Sequence, residues 1–300
     1  WKGESDAEEY IPWLIQDLQD KGLAYESQGA LVVDVTEPTD SKELPPCIVR
    51  KSDGAALYAT SDLGTIIQRE KDFQPVKYVY ITDKRQELHF KQVFRVAKKA
   101  GIVKEDTPMI FLGFGTMNGK DGGPFKTREG GVMRLEHLIK NIDEKVYEKI
   151  QEKQKVPADE MTRTAEIVGL AALKYADLSN QATKDYIFDV DRFISFEGNT
   201  GPHIQYMIVR IKSILEKYKE LRGADAKVVP IRPAESETEK ALQMALCRFG
   251  EVTESAFYET APHKLCQYMA AVADAFNAFY LENKILSEAV SYTHLTLPTT

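Results

Sequence analysis

An apolar run, an amphipathic helix and a second apolar run in succession constrain the fold of this 300-residue chain most strongly. The first run, VKYVYIT at residues 76–82, is typical of a strand buried on both faces, and the second is MIFL at residues 109–112. Between them, residues 86–100 predict a helix that ends at Gly101. Its apolar face consists of Phe90, Val93, Phe94 and Ala97. Two strands joined in this way run parallel and form the building block of a doubly wound nucleotide-binding sheet.

The segment after the second run, residues 113–131, is rich in glycine and contains residues that suit an anion. These are Lys120, Lys126, Thr127 and Arg128. Glycine lets backbone amides approach an anion and the cations supply counter-charge, so a phosphate-handling loop beyond the carboxyl end of a strand is predicted. The glycine spacing fits neither a Walker loop nor the dinucleotide fingerprint. A plain surface hairpin is the alternative.

Shorter β-forming runs and a helix start precede this unit. Residues 31–35 and 47–50 predict strands. The segment LYATSDL then predicts a strand that ends at Tyr58 and a helix with capping side chains in its first turn. Tyr58 and Asp62 should therefore lie close together, at the same edge of the sheet as Gln86, where the next helix begins.

From residue 132 to residue 288 the chain predicts helices and no strand. A helix that starts at Pro202 has an apolar stripe and a second face that is aromatic and basic. The stripe consists of Ile204, Ile208, Ile211 and Leu215, and the second face of His203, Tyr206 and Arg210, with Lys212 beside them. Aromatic rings interleaved with cations suit unstacked RNA bases, whereas packed rings beside solvated charges are the alternative.

The amino-acid composition limits which cellular compartment and which binding partners are expected. The net charge of −7 argues against wholesale coating of nucleic acid but leaves room for a local basic face. Three cysteines, Cys47, Cys247 and Cys266, stand far apart, which predicts no zinc site and a reducing compartment. No apolar run approaches the length that crosses a bilayer, so a cytoplasmic protein without a membrane partner is expected.

Both ends of the chain depart from a natural pattern. The sequence begins at Trp1 directly before a helical pattern, which predicts that upstream sequence is missing. The final residues, SYTHLTLPTT, break the preceding helical pattern and resemble translated vector sequence. Residues 290–300 are therefore expected to be a non-native tail.

Four segments of the chain carry a resemblance to a known family. They are LYATSDL, YVYITDKRQELHF, GFGTMNGKDGGPFKTREGG and FEGNTGPHIQYMIVRI. In this order and spacing they resemble arginyl-tRNA synthetases, which are class I enzymes, over about residues 1–288. The resemblance implies an α/β plus all-α protein, in which the second half of a Rossmann-type parallel sheet is followed by a helical anticodon-binding domain.

The resemblance also implies domain bounds. Residues 1–131 would form a partial catalytic domain with a KMSKS-like loop at 113–131. Connecting helices would follow over residues 132–195, and a truncated anticodon-binding domain over residues 196–288.

The implied activity is ligation of arginine to tRNA(Arg) through arginyl-adenylate, with ATP as a substrate and Mg²⁺ accompanying it. No protein partner is predicted. The family's HIGH-type histidine motif and its amino-terminal tRNA-binding domain are not found in this chain, so the fragment is expected to be inactive. Two other functions stay open: a helical module that binds tRNA without chemistry, and a different nucleotidyl-transfer enzyme on a similar sheet.

Carried over residue by residue, the resemblance implies that Tyr58, Asp62 and Gln86 bind the side chain of arginine. A guanidinium is a planar cation with five donors, which a carboxylate, an amide oxygen and an aromatic ring can satisfy. A helix cap at Asp62 and a packed strand end at Tyr58 are the alternatives. Ser61 stands where many family members have arginine.

The segment FKTREG resembles a degenerate KMSKS loop, which makes Lys126 the candidate for stabilising phosphate charge in the transition state. Lys120 and Arg128 are weaker catalytic candidates. The implied ATP-binding residues are His89, Phe125, Lys126 and Thr127. A satisfied structural histidine is the alternative at His89.

The helical half is assigned to tRNA in the same way. The implied contacts are His203, Tyr206, Arg210 and Lys212. The family usually has tyrosine where this chain has His203, which leaves base contact at that position open.

Overall fold

A computed structural model of the chain describes most of its residues. The described ranges are 2–120, 122–123, 134–153, 156–223, 225–227, 230–283 and 285–286. The chain divides into two compact units, residues 1–115 and residues 116–300. Phe125, Lys126, Thr127 and Arg128 lie outside the described ranges, so their roles stay predictions.

The first unit combines short strands with three α-helices in its described part. The strands are β1 (Ala24–Ser27), β2 (Ala30–Val33), β3 (Cys47–Arg50), β4 (Tyr78–Asp83) and β5 (Met109–Phe114). The helices are α1 (Ile11–Asp20), α2 (Tyr58–Phe73) and α3 (Glu87–Lys99), with 3-10 turns at Glu4–Tyr10 and Lys84–Gln86. Pro12 lies in the first turn of α1, where its missing N–H costs nothing.

The predicted strand–helix–strand unit is confirmed. Strands β4 and β5 pair in parallel, from Tyr78 opposite Met109 to Asp83 opposite Phe114, and α3 connects them. The predicted apolar face of α3 is buried. This arrangement brings the ends of both strands, and the start of α3, to one edge of the pair.

Burial of β4 on both faces was a wrong prediction. Successive side chains of a strand point to opposite faces, and Tyr78 is only 4% exposed whereas Ile81 is 63% exposed. Val76, just before the strand, is 90% exposed. The tyrosine face packs on α3, since the Tyr80 ring lies 4.9 Å from the ring of Phe90. The opposite face of β4 is exposed in the described part of the unit.

The two predicted upstream strands are confirmed as β2 and β3, and a third strand, β1, joins them in an antiparallel sheet of order β1–β2–β3. The predicted strand end at Tyr58 is wrong, because α2 begins at that residue. Thr60 closes the first turn of α2: its hydroxyl donates to the Val49 carbonyl at 2.7 Å and accepts from the Leu57 amide at 3.3 Å. No described hydrogen bond gives Asp62 a capping role.

A nearly buried ion pair fixes the segment after β2 against α3. The Arg95 guanidinium donates to both carboxylate oxygens of Asp40, at 2.5 and 2.9 Å, and to the Val35 carbonyl at 2.7 Å. Lys91 adds a contact to Asp40 at 3.0 Å. These hydrogen bonds, that from Arg95 above all, hold the pKa of Asp40 well below its usual range.

The second unit is mainly helical. Its described helices are α4 (Leu135–Lys153), α5 (Met161–Leu178), α6 (Val190–Phe193), α7 (Gly201–Arg222), α8 (Glu237–Cys247), α9 (Phe249–Tyr258) and α10 (Pro262–Glu282). Two short strands, β6 (Met117–Asn118) and β7 (Tyr186–Ile187), pair in parallel. The expectation of no strand after residue 132 is therefore wrong at β7. Two residues are too few to show the alternation from which a strand can be predicted.

Helix α7 is confirmed, but its predicted stripe is rotated. Met207 is 5% exposed, whereas Ile208 is 48% exposed. The observed stripe consists of Ile204, Met207, Ile211 and Ile214, which pack with α8 and α10. Apolar residues lie at both positions 207 and 208, so the sequence left two stripes possible and the packing partners selected one.

Candidate functional site

The three residues assigned to arginine line one cavity in the first unit. This cavity has a volume of about 650 Å³. Helix α2 begins at Tyr58 and places Asp62 one turn further on, on the same wall. Gln86 lies at the N-terminal end of α3, and His89, in the first turn of that helix, completes the wall. The structure thus brings together side chains that are up to 31 positions apart in the sequence.

Asp62 and His89 are hydrogen-bonded. The His89 Nε2 atom lies 2.6 Å from Oδ2 of Asp62. Both side chains are partly shielded, with exposures of 30% for Asp62 and 27% for His89. The His89 ring also makes an edge contact with the Phe90 ring, at 4.9 Å between centroids. His89, assigned above to ATP, therefore contacts the carboxylate assigned to arginine, and its ATP role stays a prediction.

The arginine residues beside this cavity have other partners. Arg69 donates to the Tyr80 hydroxyl at 2.9 Å and lies 5.4 Å from the centre of that ring. Arg85 makes two side-chain hydrogen bonds to Asp83, at 2.8 and 2.7 Å. Among the described residues, the second carboxylate oxygen of Asp62 has no hydrogen-bond partner. The cavity therefore presents an acceptor with negative charge, which suits a cationic ligand.

Gly113 is required where β5 leads into the glycine-rich loop. A Cβ atom at this position would lie 2.7 Å from the Cα of Lys84, in the turn that follows β4. Backbone atoms cannot move aside cheaply, so only glycine lets the end of β5 pass this turn. Gly113 thereby keeps the ends of the two parallel strands close together, beside the start of α3.

Lys120 is the one candidate cation of the loop that lies within the described residues. It contacts acidic side chains of the second unit. Its amino group lies 3.0 Å from Oδ1 of Asp189 and 3.5 Å from Oδ2 of Asp191. Lys145 also contacts Asp191, at 2.6 Å. The hydrogen bond to Asp189 raises the pKa of Lys120. A lysine charge that is already matched by carboxylates is a poorer ligand for phosphate, so this pairing does not favour the catalytic role assigned to Lys120.

Of the four residues assigned to tRNA, the structure brings Tyr206 and Arg210 into contact. Arg210 donates to the Tyr206 hydroxyl at 2.9 Å and to Asn277 at 2.8 Å. Its guanidinium lies between two rings, 4.8 Å from the centre of Tyr206 and 5.0 Å from that of Tyr280. Sequence reasoning missed Tyr280 and Asn277, because no local pattern links positions about 70 residues away on a different helix.

Among the described residues, neither His203 nor Lys212 hydrogen-bonds or stacks with that cluster. The Nδ1 atom of His203 is 3.2 Å from the Phe196 carbonyl oxygen, so the ring faces the segment before its own helix. Its Nε2 atom is buried and has no hydrogen-bond partner among the described residues. Lys212 is exposed. The exposed Tyr206 ring with the Arg210 cation beside it, rather than His203, is the feature of this surface that suits a nucleobase.

The described residues offer neither a metal-binding cluster nor a membrane-spanning helix. They contain no group of three or more His, Cys, Asp or Glu side chains that could hold a metal ion. None of the helices in these ranges is both long enough and apolar enough to cross a membrane.

The fold is that of a class I tRNA synthetase. The family model "tRNA synthetases class I (R), catalytic domain" matches residues 1–190, and "DALR anticodon binding domain" matches residues 204–297. The chain therefore belongs to the arginine branch of the class I tRNA synthetases. The resemblance found in the sequence is confirmed, and so is the predicted order of an α/β catalytic domain and a helical anticodon-binding domain.

Individual relatives support this assignment. The chain is 56% identical to the arginine–tRNA ligase of Agathobacter rectalis over 96% of its own length and 49% of the relative. It is 51% identical to the same-named protein of Alkaliphilus oremlandii, again over 96% of the chain and 49% of the relative. The chain thus spans about half the length of the curated relatives it matches.

Solved structures agree at the level of the fold. The arginyl-tRNA synthetase of Plasmodium falciparum aligns with a TM-score of 0.78 at 22% identity, over 95% of this chain and 48% of that one. The Thermus thermophilus arginyl-tRNA synthetase aligns with a TM-score of 0.77 at 21% identity, over 94% and 51%.

Proposed function

We propose that a full-length protein carrying this chain is an arginine–tRNA ligase. In the first step, the carboxylate of arginine attacks the α-phosphorus of ATP, which forms arginyl-adenylate and releases pyrophosphate. In the second step, a hydroxyl of the terminal ribose of tRNA(Arg) attacks the activated carbonyl and releases AMP. One observation supports this proposal most directly: the Asp62 carboxylate in the cavity has one oxygen available for a ligand. The neighbouring arginine residues do not occupy it, because Arg69 is bonded to Tyr80 and Arg85 to Asp83.

Recognition of arginine rests on three groups at this cavity. The free oxygen of Asp62 accepts from the guanidinium, a charge-assisted hydrogen bond of the kind that Arg–carboxylate pairs form. Tyr58 is 77% exposed, so its ring is available to lie against the planar cation. Gln86 is exposed on the same wall and supplies an amide oxygen.

ATP is the second substrate, and the loop after β5 is the proposed site for its phosphates. Lys126 is the proposed stabiliser of developing phosphate charge, with Arg128 contributing to the same field. Phe125, Thr127 and His89 are the remaining proposed ATP contacts. Mg²⁺ is expected to arrive with the triphosphate.

The helical unit is the proposed binding site for the anticodon of tRNA(Arg). The family match over residues 204–297 supports this assignment, and so does the exposed aromatic and basic surface of α7. Tyr206 is 45% exposed, and the guanidinium of Arg210 beside it adds a positive charge. A nucleobase of any identity can stack on such a pair of side chains. Lys212 would contact a phosphate of the tRNA backbone.

The proposal is tested by exchange of labelled pyrophosphate into ATP with the purified full-length protein and tRNA(Arg). Exchange should depend on arginine and not on lysine, because an ammonium lacks the planar set of donors with which a guanidinium can contact both Asp62 and the Gln86 amide oxygen. The D62N variant should raise the KM for arginine by a factor that corresponds to about 2–4 kcal/mol and leave the KM for ATP nearly unchanged. Exchange that lysine supports as well as arginine would contradict the proposal.

A further inference from the structure

The hydrogen bond between His89 and Asp62 occupies one oxygen of the Asp62 carboxylate and leaves the other oxygen available. Oδ2 of Asp62 lies 2.6 Å from His89 Nε2. The other oxygen has no partner among the described residues and belongs to a side chain that lines the cavity. Since a carboxylate only accepts hydrogen bonds, Nε2 of the imidazole is the donor in this pair.

From this geometry we infer that His89 is a positioning residue for recognition of arginine: it holds Asp62 by one oxygen, so that the other oxygen faces the guanidinium. This inference rests on the function proposed above. It gives His89 a role in choosing the amino acid, separate from the contact with ATP that the sequence suggested.

A dedicated donor is needed because α2 does not itself fix the Asp62 side chain. The side-chain hydroxyls of its neighbours bond to the backbone: Thr60 to the Val49 carbonyl, and Ser61 to that of Leu57 at 3.3 Å. A carboxylate without a fixed partner loses rotational freedom when the ligand binds, and that loss weakens binding. A partner that already holds one oxygen removes most of this cost.

Histidine suits this task better than the arginine residues beside the cavity. A guanidinium on Asp62 would occupy both oxygens and would compete directly with the guanidinium of the ligand. Arg69 and Arg85 are kept from doing so by their bonds to Tyr80 and Asp83. The imidazole reaches Asp62 through one nitrogen and leaves one oxygen for the ligand. Its own orientation is supported by the edge contact with Phe90.

Two substitutions of His89 test the contribution of its N–H donor and that of its ring independently. Glutamine places an amide N–H close to the position of the imidazole Nε2 but has no ring, so H89Q should keep the arginine KM within about twofold of the unmodified enzyme. Phenylalanine keeps the ring packing but has no donor. H89F should therefore raise the arginine KM roughly tenfold, the loss expected for one charge-assisted hydrogen bond, and raise the ATP KM by a clearly smaller factor.

The measurement is pyrophosphate exchange by the full-length protein, at varied arginine and at varied ATP, with thermal unfolding of each variant as the check on folding. A selective rise in arginine KM for H89F, with H89Q close to the unmodified enzyme, supports the inference. An unchanged arginine KM in H89F, an equal rise in both variants, or a rise confined to ATP overturns it. If the unmodified protein itself shows no arginine-dependent exchange, the proposed function fails instead.

Discussion

Arg95 of α3 binds Asp40 through two hydrogen bonds, and both side chains are largely shielded, with exposures of 12% and 7%. The pair joins the helix that carries His89 to the segment between β2 and β3. Because its carboxylate pKa is lowered in the folded protein, Asp40 stabilises the fold above its pKa in the unfolded chain, which is about 3.9. This contribution is lost as the pH falls through the lower, folded-state pKa.

The D40N variant should accordingly unfold at a lower temperature than the unmodified chain at pH 7. The difference should shrink when both proteins are examined at progressively lower pH, since the unmodified carboxylate then becomes protonated. Circular dichroism melts over a pH series measure this. The control is D106N, which removes the same charge at an exposed residue and should change the midpoint little at any pH. A difference that is constant with pH would show that the charge of Asp40 is unimportant.

Gly201, the first residue of α7, packs directly against the backbone of α5. A Cβ atom at this position would lie 2.5 Å from the Ala171 carbonyl oxygen and 3.1 Å from the Cβ of Tyr175. The G201A variant should therefore destabilise the second unit by about 1–3 kcal/mol, the usual cost of overpacking. The matched control is G250A in α9, where nothing lies within 4 Å and alanine should stabilise by roughly 0.5–1 kcal/mol. Urea titrations compare the two, and a loss of equal size in both variants would contradict the packing argument.

Local sequence patterns were sufficient for the elements and for part of the site. The apolar runs around α3 predicted the parallel pair, because a strand needs little more than a short run of β-forming residues. Tyr58 and Asp62 are four positions apart, so a helix at that point places them on one wall whatever the rest of the fold is. Gln86 followed from the rule that the carboxyl ends of parallel strands share an edge.

Contacts between distant segments could not be predicted in this way. Strand β7 pairs with β6 across about 70 residues, and two residues show no periodicity. The carboxylates that neutralise Lys120 come from the same distant segment. The bond from His89 to Asp62 joins two helices and depends on how they pack, which no spacing along the chain encodes. The roles of Lys126 and its neighbours rest on the family resemblance alone.

The two lysines of the glycine-rich segment should behave differently. In the full-length protein, K126A should lower the rate of arginine activation by roughly 100-fold or more, as expected when a cation that stabilises the transition state is removed. Its ground-state affinity for ATP should fall much less. K120A should change the rate by less than about tenfold, well below the loss of a direct transition-state contact, because the Lys120 charge is already paired with Asp189. Single-turnover kinetics and ATP binding separate rate from affinity. Equal losses of rate in the two variants would show that both lysines act on the phosphates.

The 300-residue chain by itself should bind tRNA(Arg) weakly and catalyse no exchange. The HIGH-type histidines that the family resemblance places on the other side of ATP are not found in its sequence, so ATP would meet only the loop side of the site. The helical unit keeps the exposed surface around Tyr206 and Lys212, and phosphate contacts of basic side chains weaken steeply as salt is added. Fluorescence anisotropy with labelled tRNA at increasing salt should therefore show weak binding that disappears, while pyrophosphate exchange stays at background. The chain must be prepared free of host synthetase. Robust exchange by this purified chain would show that one side of the site is sufficient for catalysis. It would overturn the assignment of ATP to a site shared with the HIGH-type motif.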